Sequence, residues 1–139
     1  MTKNHNHYLN LAFHLAEKNL GLTKLNPSVG TVIVMNGSVI SSGVTSSRGR
    51  PHSEFNALNN LKNCSGASLY TTLEPCSHYG TTPPCTNIII KKKIKNVFYA
   101  SEDPDIRTFK KAKKVLSQRG IKSRLIRSER YNKFYRSYY

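Results

Sequence analysis

The stretch Thr72-Leu73-Glu74-Pro75-Cys76-Ser77-His78-Tyr79-Gly80-Thr81-Thr82-Pro83-Pro84-Cys85 joins two readable elements of the chain. Ala67 to Leu73 predicts a strand, and Thr86 to Lys93 predicts a short helix. Between them lie three prolines and one glycine, the punctuation of a rigid, turn-rich loop. One cysteine therefore follows the end of a strand, and another lies nine residues on, at the start of a helix.

Working outward toward the N-terminus, His52 to Leu61 reads as a helix with Phe55, Leu58 and Leu61 on one face. It follows a Gly- and Ser-containing loop, Val44 to Pro51. Val29 to Met35 is a strand rich in β-branched residues. Asn36-Gly37 is a hairpin signal, and Ser38 to Gly43 returns as the partner strand. Tyr8 to Leu20 places Leu11, Ala12, Leu15 and Ala16 at helical spacing, and Gly21 can end that helix. Toward the C-terminus, Asn96 to Ser101 is a strand and Arg107 to Arg119 a basic helix stopped by Gly120. Ile121 to Ile126 is a last strand. The order α-β-β-α-β-α-β-α-β predicts an α/β domain whose sheet carries helices on its faces. The hairpin makes the sheet mixed. The tail from Arg130 to Tyr139, with Tyr131, Phe134, Tyr135, Tyr138 and Tyr139, is expected to pack on its own domain rather than serve as a docking surface.

The chain has 139 residues, a length that suits one domain with a real core. Three cysteines cannot form an even disulfide framework. No apolar run approaches the ~20 residues of a membrane helix. The polar N-terminus, Met1 to His7, lacks a signal core. These features predict a soluble cytoplasmic protein with reduced thiols. The net charge of +15 admits nucleic-acid binding, attraction for a small anionic substrate, or the Lys/Asn/Ile bias of an A- and T-rich genome.

His52-Ser53-Glu54, Pro75-Cys76 and Cys85 carry the chemistry. His and Cys bind zinc, with Zn–S roughly 2.3 Å and Zn–N roughly 2.0–2.1 Å. Three protein ligands leave a fourth position for water, the arrangement of a catalytic rather than a structural site. Zinc lowers the pKa of such a water. A carboxylate outside the ligand set must then move protons, and Glu54 stands two residues after His52. H-x-E followed by a Pro-Cys pair of cysteines marks zinc nucleobase deaminases. The bland alternative is two buried structural cysteines and a surface histidine. Cys64 has no partner at ligand spacing and reads as an ordinary thiol.

The usual spacing in that motif is P-C-x-x-C, whereas eight residues separate Cys76 from Cys85. The whole stretch from Thr72 to Cys85 closely resembles the deaminase domain of the riboflavin biosynthesis deaminase/reductase. Asn26-Pro27-Ser28-Val29-Gly30 is similar to the Asn-Pro-x-Val-Gly turn of that family, Tyr8 to Ala16 to its first helix, and Asp103-Pro104-Asp105 to its Asp-Pro-Asn stretch. The resemblance implies a three-layer α/β/α cytidine deaminase-like fold with a five-stranded mixed sheet. It implies one zinc per chain on His52, Cys76 and Cys85, with Glu54 as the proton shuttle. It places Asn26 and His78 at the substrate, and Asp103 and Asp105 on its sugar-phosphate side. In isolation, Asn26 is equally explained by fixing its turn and His78 by bracing its loop. The implied reaction converts 2,5-diamino-6-ribosylamino-4(3H)-pyrimidinone 5′-phosphate to the 5-amino-uracil compound with release of ammonia.

Three positions and one stretch depart from the family pattern. Thr81 replaces a Lys or Arg suited to the substrate phosphate, for which Arg48, Arg50 or Arg107 can compensate. Thr45 replaces a His, Ser53 replaces an Ala, and Arg107-Thr108-Phe109-Lys110 replaces a glycine-containing stretch. The chain also departs in length. Many members of that family carry a C-terminal reductase domain, whereas this sequence stops near that boundary and has no Gly-rich dinucleotide fingerprint. The expectation is therefore a stand-alone deaminase, residues 1–139 without a reductase domain, with the reductase step left to a separate protein. By the same resemblance the chain forms dimers or tetramers. A tRNA adenosine or free nucleobase deaminase is the nearest rival. The long cysteine gap and the Ser-His-Tyr-Gly insert argue against it, and hence against nucleic acid as partner. A zinc module without catalysis and a degenerate, inactive deaminase fold are the others.

Overall fold

The computed structural model describes residues 4–23, 27–80, 82–105, 107–108 and 110–136. The hairpin forms as expected. Strand β1 (Gly30–Met35) pairs antiparallel with β2 (Ser38–Val44) through Asn36 and Gly37, whose φ values of 52° and 77° make the left-handed turn that this dipeptide favours. β1 also pairs antiparallel with β3 (Ser68–Thr71). β4 (Asn96–Tyr99) and β5 (Lys122–Leu125) extend the sheet in parallel, giving the order β2-β1-β3-β4-β5. The sheet is therefore five-stranded and mixed.

Side chains alternate across β1 and so divide the core. Ile33, with Leu69 and Val97, faces helices α2 (Ser53–Leu58), α3 (Cys85–Lys91) and α4 (Ala112–Ser117) through Leu58, Ile89 and Leu116. Val32 and Val34, with Tyr70, face helix α1 (His5–Lys18) and helix α5 (Glu129–Arg136) through Leu9, Phe13 and Tyr131. Helices thus cover both faces of the sheet in three layers. Among the described residues, no helix is long and apolar enough to cross a membrane.

Several expectations need correction. The buried stripe of α1 is Tyr8, Leu9, Ala12, Phe13 and Ala16, while Leu11 is exposed. The helix is turned so that Ala12 and Ala16 lie over Gly30, where an added Cβ would fall 1.9 Å from the Ala12 carbonyl oxygen. In α2 the buried face is Ser53, Glu54, Ala57 and Leu58, and Phe55 is exposed. The cause is again close backbone approach. A Cβ on Gly43 of β2 would fall 2.5 Å from the Ser53 carbonyl oxygen and 2.6 Å from the Ala57 nitrogen. Only small residues on α2 can face that strand.

The basic helix does not start at Arg107. Residues 107–108 and 110–111 run as turns, Lys110 has φ of 60°, and helix begins at Ala112. The described part of the tail forms the additional helix α5. Tyr131 and Tyr135 are buried, and the Tyr135 hydroxyl donates to the Ser28 carbonyl at 2.7 Å. Tyr138 and Tyr139 lie outside the described residues.

Candidate active site and metal centre

One edge of the sheet collects the chemistry. It holds the C-terminal ends of β3 and β4, the N-terminal end of the antiparallel β1, and the first turns of α2 and α3. Loops at the carboxyl ends of parallel strands are where open α/β sheets place ligands. His52 immediately precedes α2, and Glu54 lies in its first turn. Cys76 follows β3, and Cys85 is the first residue of α3.

The loop that separates them by sequence folds them together. Nδ1 of His52 lies 3.7 Å from Sγ of Cys76 and 3.5 Å from Sγ of Cys85. A tetrahedral zinc with ordinary Zn–N and Zn–S bonds has ligand–ligand edges of about 3.6 Å. The donor set and its spacing therefore fit zinc, and these three residues can hold it. The backbone N–H of Cys85 donates to Sγ of Cys76 at 3.2 Å. The Cys76 thiol is drawn down to about 4, first by its hydrogen bond with Cys85 and then by His52, whereas that shared bond and burial push Cys85 up. A depressed thiol favours the thiolate that a metal requires.

Glu54 is buried, with 4% of its surface exposed. Burial pushes its carboxyl up to about 7, against the opposing charge of His52. A carboxyl poised there can both accept and donate a proton at neutral pH.

His52, Glu54, Cys76, His78, Asp103 and Asp105 all border one cavity of about 210 Å³. His78 Nδ1 lies 2.7 Å from the buried Thr108 hydroxyl, which fixes the ring. Asp105 does not offer a free carboxylate. Its oxygens accept Nε and Nη2 of Arg107 at 3.1 and 2.7 Å. That pairing holds its carboxyl down at about 2. Asn26 and Thr81 lie outside the described residues. Thr45 is buried beside the turn before β1, where it accepts the Val29 N–H at 2.9 Å and donates to the Pro27 carbonyl at 3.3 Å.

Two contributors were not singled out from sequence. Glu74 accepts the backbone N–H groups of Asp103 and Lys110 on Oε1 and of Ala112 on Oε2, at 3.1, 3.2 and 3.2 Å. One carboxylate thus organises the wall that carries Asp103 and Asp105. It takes the Ala112 N–H that a helix running from Arg107 would direct to the Thr108 carbonyl, the physical reason that α4 starts late. Ser53, read from sequence as a small change from Ala, hydrogen-bonds Glu54 directly. Its only sequence signal was that departure.

A three-layer α/β/α sheet with a His-Cys-Cys centre and a buried glutamate beside it defines a zinc-dependent hydrolytic deaminase. Comparison with known proteins agrees. Residues 2–101 match the cytidine and deoxycytidylate deaminase zinc-binding region. The riboflavin biosynthesis protein RibD of Aquifex aeolicus is 46% identical over 99 residues, covering 70% of this chain and 28% of that protein. The diaminohydroxyphosphoribosylamino-pyrimidine deaminase of Buchnera aphidicola is 38% identical over 131 residues, covering 91% of this chain and 89% of that protein. A solved structure of Acinetobacter baumannii RibD superposes with a TM-score of 0.87 at 34% identity, covering 98% of this chain and 38% of that one. The chain belongs to the cytidine and deoxycytidylate deaminase family, within its riboflavin-biosynthesis branch. It spans about a third of the length of the RibD relatives and most of the length of the Buchnera protein.

Proposed function

We propose that this chain hydrolyses 2,5-diamino-6-ribosylamino-4(3H)-pyrimidinone 5′-phosphate to 5-amino-6-(5-phosphoribosylamino)uracil and ammonia, a step of riboflavin biosynthesis. The observation that carries the reading is the meeting of His52, Cys76 and Cys85 at tetrahedral spacing beside the buried Glu54. The substrate follows from the relative that this chain matches over nearly its whole length.

In this reading His52, Cys76 and Cys85 hold one zinc. When bound, zinc lowers the pKa of a water so that it ionises near neutral pH. Glu54 takes one proton of the attacking water as its oxygen bonds to the amine-bearing ring carbon, and passes it to the ring nitrogen. It then takes the remaining hydroxyl proton and passes it to the departing amine, which leaves a carbonyl at that carbon. One C–O bond forms, one C–N bond breaks, and the amine leaves as ammonia. His78, fixed by Thr108, and the amide of Asn26 hold the polar edge of the ring in register. Asp103 borders the sugar side of the cavity, and Asp105 stiffens that wall through Arg107.

The three free cysteines suit the reducing cytoplasm, where we place the reaction. We also assign the chain to a dimer or tetramer, because the edge strand β2 exposes Val39 and Ile40.

The test is ammonia release from the diaminopyrimidine ribosyl phosphate by zinc-loaded protein. Release should be lost in Glu54→Gln while zinc is retained. No release from folded, zinc-loaded wild-type protein would overturn the assignment.

A further inference from the structure

Two arginines border the cavity beside the zinc ligands, Arg50 and Arg107. They differ in how their charge is spent. Arg107 is held by both oxygens of Asp105, so the pair presents little net positive charge to an anion. Arg50 is half-buried and has no carboxylate partner among the described residues. Its Nη1 donates to the Thr82 hydroxyl at 3.0 Å. That bond ties the segment before His52 to the loop that carries both cysteines. It orients the guanidinium and leaves its other N–H groups without a bond to any described residue. Arg48 is exposed and does not border the cavity. Thr81, in the cysteine loop, carries no charge.

We infer that Arg50, oriented by Thr82, is the residue that binds the phosphate of a phosphorylated substrate in this chain. The inference rests on the proposed reaction for the identity of the substrate, but its physical basis is the one unneutralised guanidinium at the cavity among the described residues. A phosphate monoester offers three oxygens and nearly two negative charges. A planar guanidinium matches two of those oxygens at once, and one held in place loses little freedom on binding. The cysteine loop then contributes to phosphate binding through a neutral hydroxyl that aims an arginine from another segment. Arg50 does not touch the reacting carbon, so its contribution is uniform binding, expressed in KM rather than in kcat.

The test has two arms. In the first, kcat and KM are measured for Arg50→Gln, Arg50→Lys and Arg48→Gln on the phosphorylated substrate and on its dephosphorylated riboside. Arg50→Gln should raise KM for the phosphorylated substrate by about 10- to 100-fold, the range expected for lost hydrogen bonds to a charged group, with kcat nearly unchanged. Arg50→Lys should recover part of the loss, and Arg48→Gln, with the same change of net charge, should match wild type. The riboside should not distinguish Arg50→Gln from wild type. Equal losses on both substrates, or none on either, would overturn the inference. The second arm titrates inorganic phosphate into zinc-loaded protein by calorimetry. Wild type should bind it at least about tenfold more tightly than Arg50→Gln. Because this arm needs no turnover, it separates failure of the phosphate site from failure of the proposed reaction. Equal phosphate binding by the two proteins rejects Arg50 even if the deaminase is active.

Discussion

The hydroxyl of Ser53 donates to Oε1 of Glu54 at 2.9 Å, between two residues adjacent in the first turn of α2. Ser53 is itself held, because its Oγ lies 2.8 Å from Oγ1 of Thr31, which lies 3.2 Å from Oγ1 of Thr71. All three hydroxyl residues are fully buried. The Glu54 carboxyl is therefore tied to β1 and β3. Replacing Ser53 by Ala removes a hydrogen bond worth about 1–1.5 kcal/mol, or roughly tenfold in rate. We expect kcat to fall about tenfold in Ser53→Ala, with KM and zinc content preserved. Steady-state kinetics with metal analysis checks this, and an unchanged kcat would show that Ser53 does no more than fill space.

Gly43 sets how closely α2 approaches the sheet. A methyl group there meets the Ser53 carbonyl oxygen and the Ala57 nitrogen, both of them backbone atoms that cannot rotate aside. Overpacking of this kind costs about 1–3 kcal/mol. Gly43→Ala should lower the denaturant midpoint accordingly and weaken zinc binding, because α2 carries Glu54 and follows directly on His52. Chemical denaturation and zinc titration read the two effects. A Gly43→Ala protein with wild-type stability would show that the helix shifts at no cost.

Glu74 lies outside the proposed zinc ligands and has no proposed part in the chemistry, yet three backbone N–H groups end on its carboxylate. Glu74→Ala should destabilise the domain by about 3 kcal/mol, because it strands donors on the wall of the cavity. Amide exchange should quicken at Asp103, Lys110 and Ala112 before it does elsewhere. Unaltered protection at these amides would mean that other acceptors, or water, replace the carboxylate.

The Asp105–Arg107 pair sets a pH dependence. Its hydrogen bonds hold the Asp105 carboxyl at about 2, below the ordinary value of 3.8. The folded-state value is the lower one, so the pair contributes to stability above about pH 4 and loses that contribution as pH falls through about 2. The contribution is small, because Arg107 is largely exposed. Side-chain NMR should show Asp105 titrating near the low value in wild type and moving up toward the ordinary one in Arg107→Gln. A midpoint near 3.8 in wild type would mean that the pair is open in solution.

The candidate centre was legible in the amino acids. His52 and Glu54 fall two positions apart at the head of a helix, and Cys76 and Cys85 fall at a strand end and a helix start. Residue type and local spacing thus constrain them before any tertiary contact forms. The alternation of β1 and the Asn36-Gly37 turn likewise fix the hairpin locally, and with it the mixed character of the sheet. What the tertiary structure alone decided lies between residues far apart in the chain. Glu74 reaches Asp103, Lys110 and Ala112, Thr31 meets Ser53, Thr82 meets Arg50, and Tyr135 closes on Ser28. The face that α1 and α2 bury was also set this way, because Gly30 and Gly43 admit backbone where the apolar spacing alone favoured Leu11 and Phe55. Hydrogen bonds and close backbone contacts depend on fractions of an ångström and on direction. Periodicity carries neither, so these relationships emerge only once the sheet and its two helical layers are assembled.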